Sequence, residues 1–362
     1  MATILFCPME WGLGHAVRLV PMINHSIRNG DRVILAADGV PERFYRNRYP
    51  DIMLVRLPFY QVTYSHKGHF FRKLLTQVPG MLRAIRKNRR QLKWMVESMQ
   101  IDLIITDHRY GMHHPGVQSV FITNQLWLRA PRGLHFGEPL VYALHLFALR
   151  RFSEIWIADF REWPGLSGRL THPWWLPRKS HYIEPVSRFE GAPIDEEAKS
   201  GRYQVLALLS GPEPQRTLLE EELMRVLGDN GIKALILRGK PRDKAGDFGE
   251  MQEVGSLTLL DHAPDEALAD YITTIPVIVC RPGNSTLSDL IALGRGALLV
   301  PTPGQTEQEY VAGSLFERGY FGICRQGTLT PDVIMNFDDQ SFRRFKKPDG
   351  AVWKKLLSGH FD

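Results

Sequence analysis

The stretch PVIVCRPGNSTLSDLIALGRGALLVPTPGQTEQEY, residues 276–310, decides the fold. Pro276-Val277-Ile278-Val279-Cys280 is short, continuously apolar and β-rich, the pattern of a strand buried on both faces of a parallel sheet. Arg281-Pro282-Gly283-Asn284 breaks the strand. Ser285 and Thr286 read as N-caps of a helix with Leu287, Leu290, Ile291 and Leu293 on its apolar side and Gly294 at its stop. Residues 297–300 predict the next strand, and a proline-containing loop and another helix carry the chain to Gly319. The order is that of a βαβ unit, which places the chain in the α/β class.

A glycine turn leading from a parallel strand into a helix presents backbone N–H groups and the positive helix end, a seat for phosphate. Asp289 lies about one turn deeper, where an acceptor-only carboxylate can take both hydrogen bonds of a ribose diol. Residues 301–310 bring Gln305, Gln308 and Glu309 to the start of the following helix, and such groups suit sugar hydroxyls. The same spacing also occurs in ordinary βαβ units with a tight turn and a capped helix.

Over residues 279–319 the chain resembles the donor-binding half of inverting GT-B glycosyltransferases, above all the MurG-type N-acetylglucosaminyltransferases (family 28-like) that make peptidoglycan lipid II. The resemblance implies two Rossmann-like domains with parallel sheets facing across a cleft. It places Gly283, Asn284, Ser285 and Thr286 on the donor diphosphate, Asp289 on the ribose in place of the usual glutamate, and Gln308 with Glu309 at the sugar. Asp is one methylene shorter than Glu, which weakens the ribose contact.

With 362 residues, 44% of them hydrophobic, the chain can bury two cores of ordinary domain size. The expected boundaries are a first domain over 1–184, a linker over 185–202, a donor domain over 203–340 and a C-terminal helix over 341–362 that returns to the first domain. Cys7, Cys280 and Cys324 are far apart and form no disulfide framework, which fits a reducing compartment. No signal peptide is read at the start, and the longest apolar window, residues 139–149, is about half of the ~20 residues a membrane span needs. The expectation is a cytoplasmic protein, soluble or peripheral on the inner face of the cell membrane. The net charge of +6 permits contact with anionic lipid or phosphorylated substrates, and no nucleic-acid-binding module accompanies it.

In chain order, residues 3–7 predict a first strand, followed by Gly12-Leu13-Gly14-His15 and an apolar-periodic helix. The third glycine of a dinucleotide fingerprint is missing, which argues against NAD. The family resemblance puts Gly12 and Gly14 opposite the donor phosphates and makes His15 a candidate general base. An imidazole at a helix N-terminus has its cationic form disfavoured by the dipole, which suits a base. Further strands are expected at 31–37, 53–57, 101–106, 119–123, 154–159 and 181–184. Between 67 and 100 two basic amphipathic helices, separated at Pro79-Gly80, are expected to pack on the domain or to rest on an anionic bilayer.

Asp107, His108, Arg109, Asn124 and Gln125 fall at the carboxyl ends of predicted strands, where open α/β sheets bind ligands, and read as the acceptor side. His113 and His114 do not complete a metal set with Asp107 and His108, because adjacent ligands rarely share one tetrahedral site. In the second half, strands are expected at 203–209, 234–237 and 257–260. Ser210 and Gly211 form a second phosphate turn with Arg216 as a neighbouring cation, and His262 stands where the family's loop holds the nucleobase.

The resulting expectation is an inverting transfer from a nucleotide-sugar to a hydroxyl acceptor, lipid-linked in the resembling family. The donor is a UDP-sugar by resemblance, with GDP- and dTDP-sugars left open. His15 is the expected base and Asp107 the reserve. No Asp-x-Asp triplet is present, so no metal cofactor is expected, and helix ends with Arg281 or Arg216 would take the leaving diphosphate. Two rivals share the fold: a UDP-sugar hydrolase or non-hydrolysing epimerase, and a non-catalytic scaffold of a glycosylation complex.

Overall fold

The computed structural model describes residues 1–10, 12–58, 70–130, 135–192, 201–240, 242, 244 and 246–361, and within 70–81 the side chains of 79 and 80 alone. The chain divides into two compact units, Met1–Val186 with Gly350–Asp362, and Ser187–Asp349.

In the first unit β1 (Thr3–Pro8), α1 (Gly14–Arg28), β2 (Arg32–Ala37), α2 (Gly39–Arg48), β3 (Met53–Arg56), α3 (Phe70–Met99), β4 (Leu103–Asp107), β5 (Gln118–Thr123), α4 (Glu138–Leu149), β6 (Glu154–Ile157) and β7 (Ser180–Tyr182) follow in order. The seven strands are all parallel in the order β3-β2-β1-β4-β5-β6-β7. Both faces of β1 are covered. Ile4 and Phe6 pack with Leu19, Val20 and Ile23 of α1, while Leu5 and Cys7 join Leu92, Met95 and Met99 of α3. That double burial is why these strands read as unbroken apolar runs. The order reverses between β1 and β4, which opens a crevice at their carboxyl ends.

The second unit contains β8 (Val205–Leu208), α5 (Gln215–Gly228), β9 (Ala234–Leu237), β10 (Gln252–Val254), β11 (Leu257–Leu260), α6 (Asp265–Thr274), β12 (Val277–Cys280), α7 (Asn284–Ala292), β13 (Leu298–Leu299), α8 (Thr306–Glu317), β14 (Gly322–Ile323) and α9 (Pro331–Met335). Its sheet runs β10-β11-β9-β8-β12-β13-β14, parallel except for the β10–β11 pair. Here the order reverses between β8 and β12. The last helix, α10 (Ala351–Ser358), buries Trp353 and Leu357 in the core of the first unit, with the Trp353 ring edge-on to His25 at 5.4 Å.

Several expectations are corrected. Pro79-Gly80 does not divide the basic segment, because α3 is one helix of 30 residues that passes through Pro79. Proline removes one helical hydrogen bond, a loss outweighed here by the burial of Leu92, Met95 and Met99. Lys67 and His69, and the side chains of Phe70, Phe71, Arg72, Lys73, Leu74, Leu75 and Met81, lie outside the described residues, and with them the first part of the membrane contact expected over 67–100.

The predicted C-terminal helix starts later than 341. Phe342 and Phe345 stack on Phe337 and Tyr320 of the second unit at 5.3 and 3.9 Å, so the crossing falls at Gly350. The linker also begins later than 185 and its first residues are built into the second unit. Its residues 193–200 lie outside the described residues. Among the described residues no helix is long and apolar enough to cross a membrane.

Candidate functional site

In the first unit the crevice is lined by the loop after β1 and the end of β4. His15 is the second residue of α1, and Asp107 is the last of β4, paired in register with Pro8. His15 Nδ1 lies 2.8 Å from Asp107 Oδ1. Arg18, one turn along the same helix face as His15, donates from one terminal nitrogen to both Asp107 oxygens at 3.0 and 2.9 Å. Its other terminal nitrogen donates to Asn124 Oδ1 at 3.0 Å.

Asp107 is fully buried. Burial works to raise its pKa, but Arg18 and then His15 outweigh it and leave the carboxyl below its ordinary value. An ionised carboxylate only accepts, so a neutral His15 carries its proton on Nδ1 and leaves the Nε2 lone pair available. The His15 side chain keeps 20% of its surface exposed, against none for Asp107, so of the pair the imidazole is the group open to the outside. The enclosure of Asp107 speaks against the reserve-base reading. Gly12, with φ of 106°, makes the turn that admits this loop.

His108 takes a left-handed φ of 53° and folds back on the strand end. Its Nε2 accepts from the backbone N–H of Asn124 at 3.2 Å, and burial drives its pKa well below the ordinary imidazole value. His108, half-buried, and Asn124, buried, are thus both engaged in hydrogen bonds within the unit. Arg109 is corrected as well. It is buried, donates to the carbonyls of Leu57 and Pro8, and pairs with Glu10 at 3.2 Å. Gln125 is half-buried, and its backbone N–H donates to Thr123 Oγ1 at 2.9 Å.

In the second unit the sheet topology sets the turn after β8, with Ser210 and Gly211, beside the turn after β12, with Gly283. Gly211 has φ of 99°, and a Cβ there would lie 3.8 Å from Thr302 Oγ1 on the loop after β13. The N-cap of α7 is Gly283, with no side-chain cap, so Asn284, Ser285 and Thr286 belong to the first turn instead of preceding it. Thr302 Oγ1, Gln215 Oε1 and Gln305 Oε1 are buried without a hydrogen-bond partner, a state proteins seldom leave unanswered.

The cations expected there are engaged elsewhere. Arg281 is fully buried and donates to Val300 O, Gln215 O and Gln326 Oε1 at 2.9, 2.9 and 2.7 Å, and burial lowers its pKa to about 10. Arg216 is held by Glu213 at 2.6 Å and by Glu220 at 2.5 Å. Gln308 Oε1 accepts from the Thr302 N–H and Glu309 Oε1 from the Gly304 N–H, both at 2.9 Å, so these side chains shape the loop. His262 follows β11 with its ring stacked 6.1 Å from Phe248.

Asp289 is not an open ribose acceptor. Oδ1 takes the Ser187 hydroxyl at 2.7 Å, and Oδ2 takes two Arg188 nitrogens at 3.1 Å each. Arg188 also reaches Asp265 at 3.0 Å. Burial raises the Asp289 carboxyl, and Arg188 and Ser187 offset that in part.

No family model matches the chain. Over 223 residues it is 25% identical to the UDP-N-acetylglucosamine--N-acetylmuramyl-(pentapeptide) pyrophosphoryl-undecaprenol N-acetylglucosamine transferase of Rhodopseudomonas palustris, a match covering 58% of this chain and 57% of that relative. The chain thus spans less than two thirds of the length of that relative. Among solved structures, the glycosyltransferase SnogD from Streptomyces nogalater superposes with a TM-score of 0.60 at 15% identity, covering 99% of each chain. The MurG of Acinetobacter baumannii gives 0.52 at 14% identity, covering 99% of this chain and 91% of its own.

The fold is that of the GT-B glycosyltransferases. The reading of the 279–319 segment as strand, glycine turn, helix and strand agrees with the second sheet, and the helix start that carries Gly14 and His15 follows the first strand of the first. Arg18, Ser187 and Arg188 escaped the sequence reading. An arginine three residues after His15, amid the otherwise apolar positions 16–23, was the available signal for the first, and nothing local marked the other two.

Proposed function

We propose that this chain is an inverting glycosyltransferase that moves a sugar from a nucleotide-sugar, a UDP-sugar foremost, to the hydroxyl of a lipid-linked acceptor. The observation that carries the reading is the His15–Asp107 pair, backed by Arg18, at the reversal point of the first sheet. His15 Nε2 takes the acceptor O–H proton. The acceptor oxygen bonds to the anomeric carbon from the face opposite the diphosphate, and the bond to the phosphate oxygen breaks with its electron pair leaving on the nucleotide. Asp107 holds the imidazole in the reactive tautomer and stabilises the imidazolium that forms.

The donor side of this reading rests on the paired turns at Ser210–Gly211 and Gly283–Thr286, with Thr302, Gln215 and Gln305 offering unpartnered polar atoms. Because Arg216 and Arg281 are committed within the unit, helix ends and backbone N–H groups bear the leaving charge. The relative's printed name supports a UDP-sugar donor and a pyrophosphoryl-undecaprenol acceptor.

Two experiments test this. In a thermal-shift screen of UDP, GDP, dTDP and their sugars, one nucleotide family should raise Tm, since a ligand at a hundred times its Kd adds about 2.7 kcal/mol to the native state. No shift with any of them overturns the donor site. Transfer should then continue in EDTA, whereas complete loss restored by magnesium would refute metal independence.

A further inference from the structure

Arg18 stands where an arginine is costly to place. Positions 16–23 of α1 are otherwise apolar, and the Arg18 side chain is only 2% exposed among them. A buried guanidinium must be matched in charge and in hydrogen bonds. The match is Asp107, whose two oxygens share one terminal nitrogen of Arg18, while the other terminal nitrogen reaches Asn124 just beyond β5. The carboxylate oxygen that takes Arg18 at 3.0 Å is also the one that lies 2.8 Å from His15 Nδ1. One buried carboxylate therefore faces a guanidinium and an imidazole at once.

These two partners act against each other through Asp107. A carboxylate so near an imidazole stabilises the imidazolium, and an imidazolium has no lone pair with which to accept a proton. A guanidinium on the same carboxylate opposes that pull, because the Arg18–Asp107 pair has no net charge. The other titratable groups around the ring do not supply this. His108, half-buried in the turn after β4, has its ring centre 5.1 Å from that of His15. Burial and then the charges of His15 and Arg18 outweigh Asp107 and hold its pKa well below the ordinary imidazole value, so it stays neutral. Glu10, on the loop after β1, pairs with Arg109 at 3.2 Å. Among the described residues, Arg18 is the permanent cation in contact with Asp107.

We propose that Arg18 is a positioning residue that sets the protonation state of the His15 imidazole: by neutralising Asp107 it lets the carboxylate orient the ring without holding it as imidazolium. Its bond to Asn124 fixes the guanidinium from the β5 side, so the counter-charge cannot swing away from the carboxylate. The inference rests on the proposed transfer reaction only for its purpose, the readiness of His15 as a base. The charge relation itself is measured without substrate, so failure of either is seen separately.

The test is an NMR titration of the full chain labelled with 15N-histidine, the His15 signals being assigned from their loss in His15→Ala, followed by the pH profile of kcat. Arg18→Gln keeps amide donors and removes the charge. It should move the His15 titration, and the acid limb of kcat with it, upward by about one pH unit or more. Arg18→Lys keeps the charge but cannot bridge Asp107 and Asn124, and should lower kcat at every pH with little movement of the titration. Should Arg18→Gln fail to fold, a second comparison reads the same charge. Asp107→Asn leaves Arg18 unopposed and should move the His15 titration downward, and adding Arg18→Gln to it should bring the titration back up. A titration that moves as expected while kcat does not follow supports the charge relation and removes His15 as the base. The proposal is overturned if Arg18→Gln loses kcat at every pH with its titration unmoved, or if Asp107→Asn titrates alike with and without Arg18→Gln.

Discussion

Replacing His15 by alanine is expected to lower kcat by about two to four orders of magnitude while leaving the nucleotide-induced rise in Tm intact. Among the described residues, neither neighbouring titratable group can readily substitute. His108 already spends its Nε2 lone pair on the Asn124 N–H, and Asp107 is enclosed by Arg18 and His15. Single-turnover transfer with saturating donor measures the effect, and an alanine variant as fast as the parent would remove the imidazole from the chemistry. Asp107→Asn should also slow transfer, because an amide no longer fixes the Nδ1–H tautomer. It adds a signature in stability. Arg18 and His15 hold the folded carboxyl below its ordinary value despite burial, so its stabilising contribution is full above that ordinary value and is lost as pH falls through the lower folded one. The parent should therefore lose this increment of Tm on acidification, and Asp107→Asn should lack it from the start.

Asp289→Ala is expected to destabilise the second unit by about 3 kcal/mol, since it strands the Ser187 hydroxyl and leaves the nearly buried Arg188 with Asp265 alone. For a unit of this size that lowers Tm by roughly 6–12 °C. Donor KM should change far less than Tm does, because the carboxylate's contacts are already made within the protein. Asp289→Asn, which retains an acceptor for Ser187, should fall between the alanine variant and the parent. An unchanged Tm together with a strongly raised donor KM would return Asp289 to the ribose.

Most parallel strands were legible because burial on both faces writes an unbroken apolar run into the chain, as at Ile4–Cys7 and Val277–Cys280. The strands that escaped lack that signature. Gln252–Val254 is an exposed antiparallel edge, and Gly322–Ile323 is only two residues long. His15 and Asp107 could each be picked out, as a histidine after a glycine turn and a carboxylate at a strand end. Their pairing could not, because 92 residues of chain separate them.

The arginines mark the boundary most clearly. Arg109, Arg216 and Arg281 each sit near a predicted strand end or helix start, where a guanidinium reads as an anion binder. Whether it faces a ligand or the protein's own acceptors depends on which carbonyls and carboxylates the fold brings within reach. For Arg109 these are Leu57 O and Glu10, for Arg216 Glu213 and Glu220, and for Arg281 Val300 O, Gln215 O and Gln326. The sequence by itself determined the α/β class, the order of the main elements and the two glycine turns, all of which follow from local backbone preference and the periodicity of burial. Only the tertiary structure decided that His15 leans on Asp107 and that Asp289 holds Arg188. Hydrogen-bond partners are assigned by distance in space, and chain-order reversal between β1 and β4 and between β8 and β12 is what brings distant residues within it.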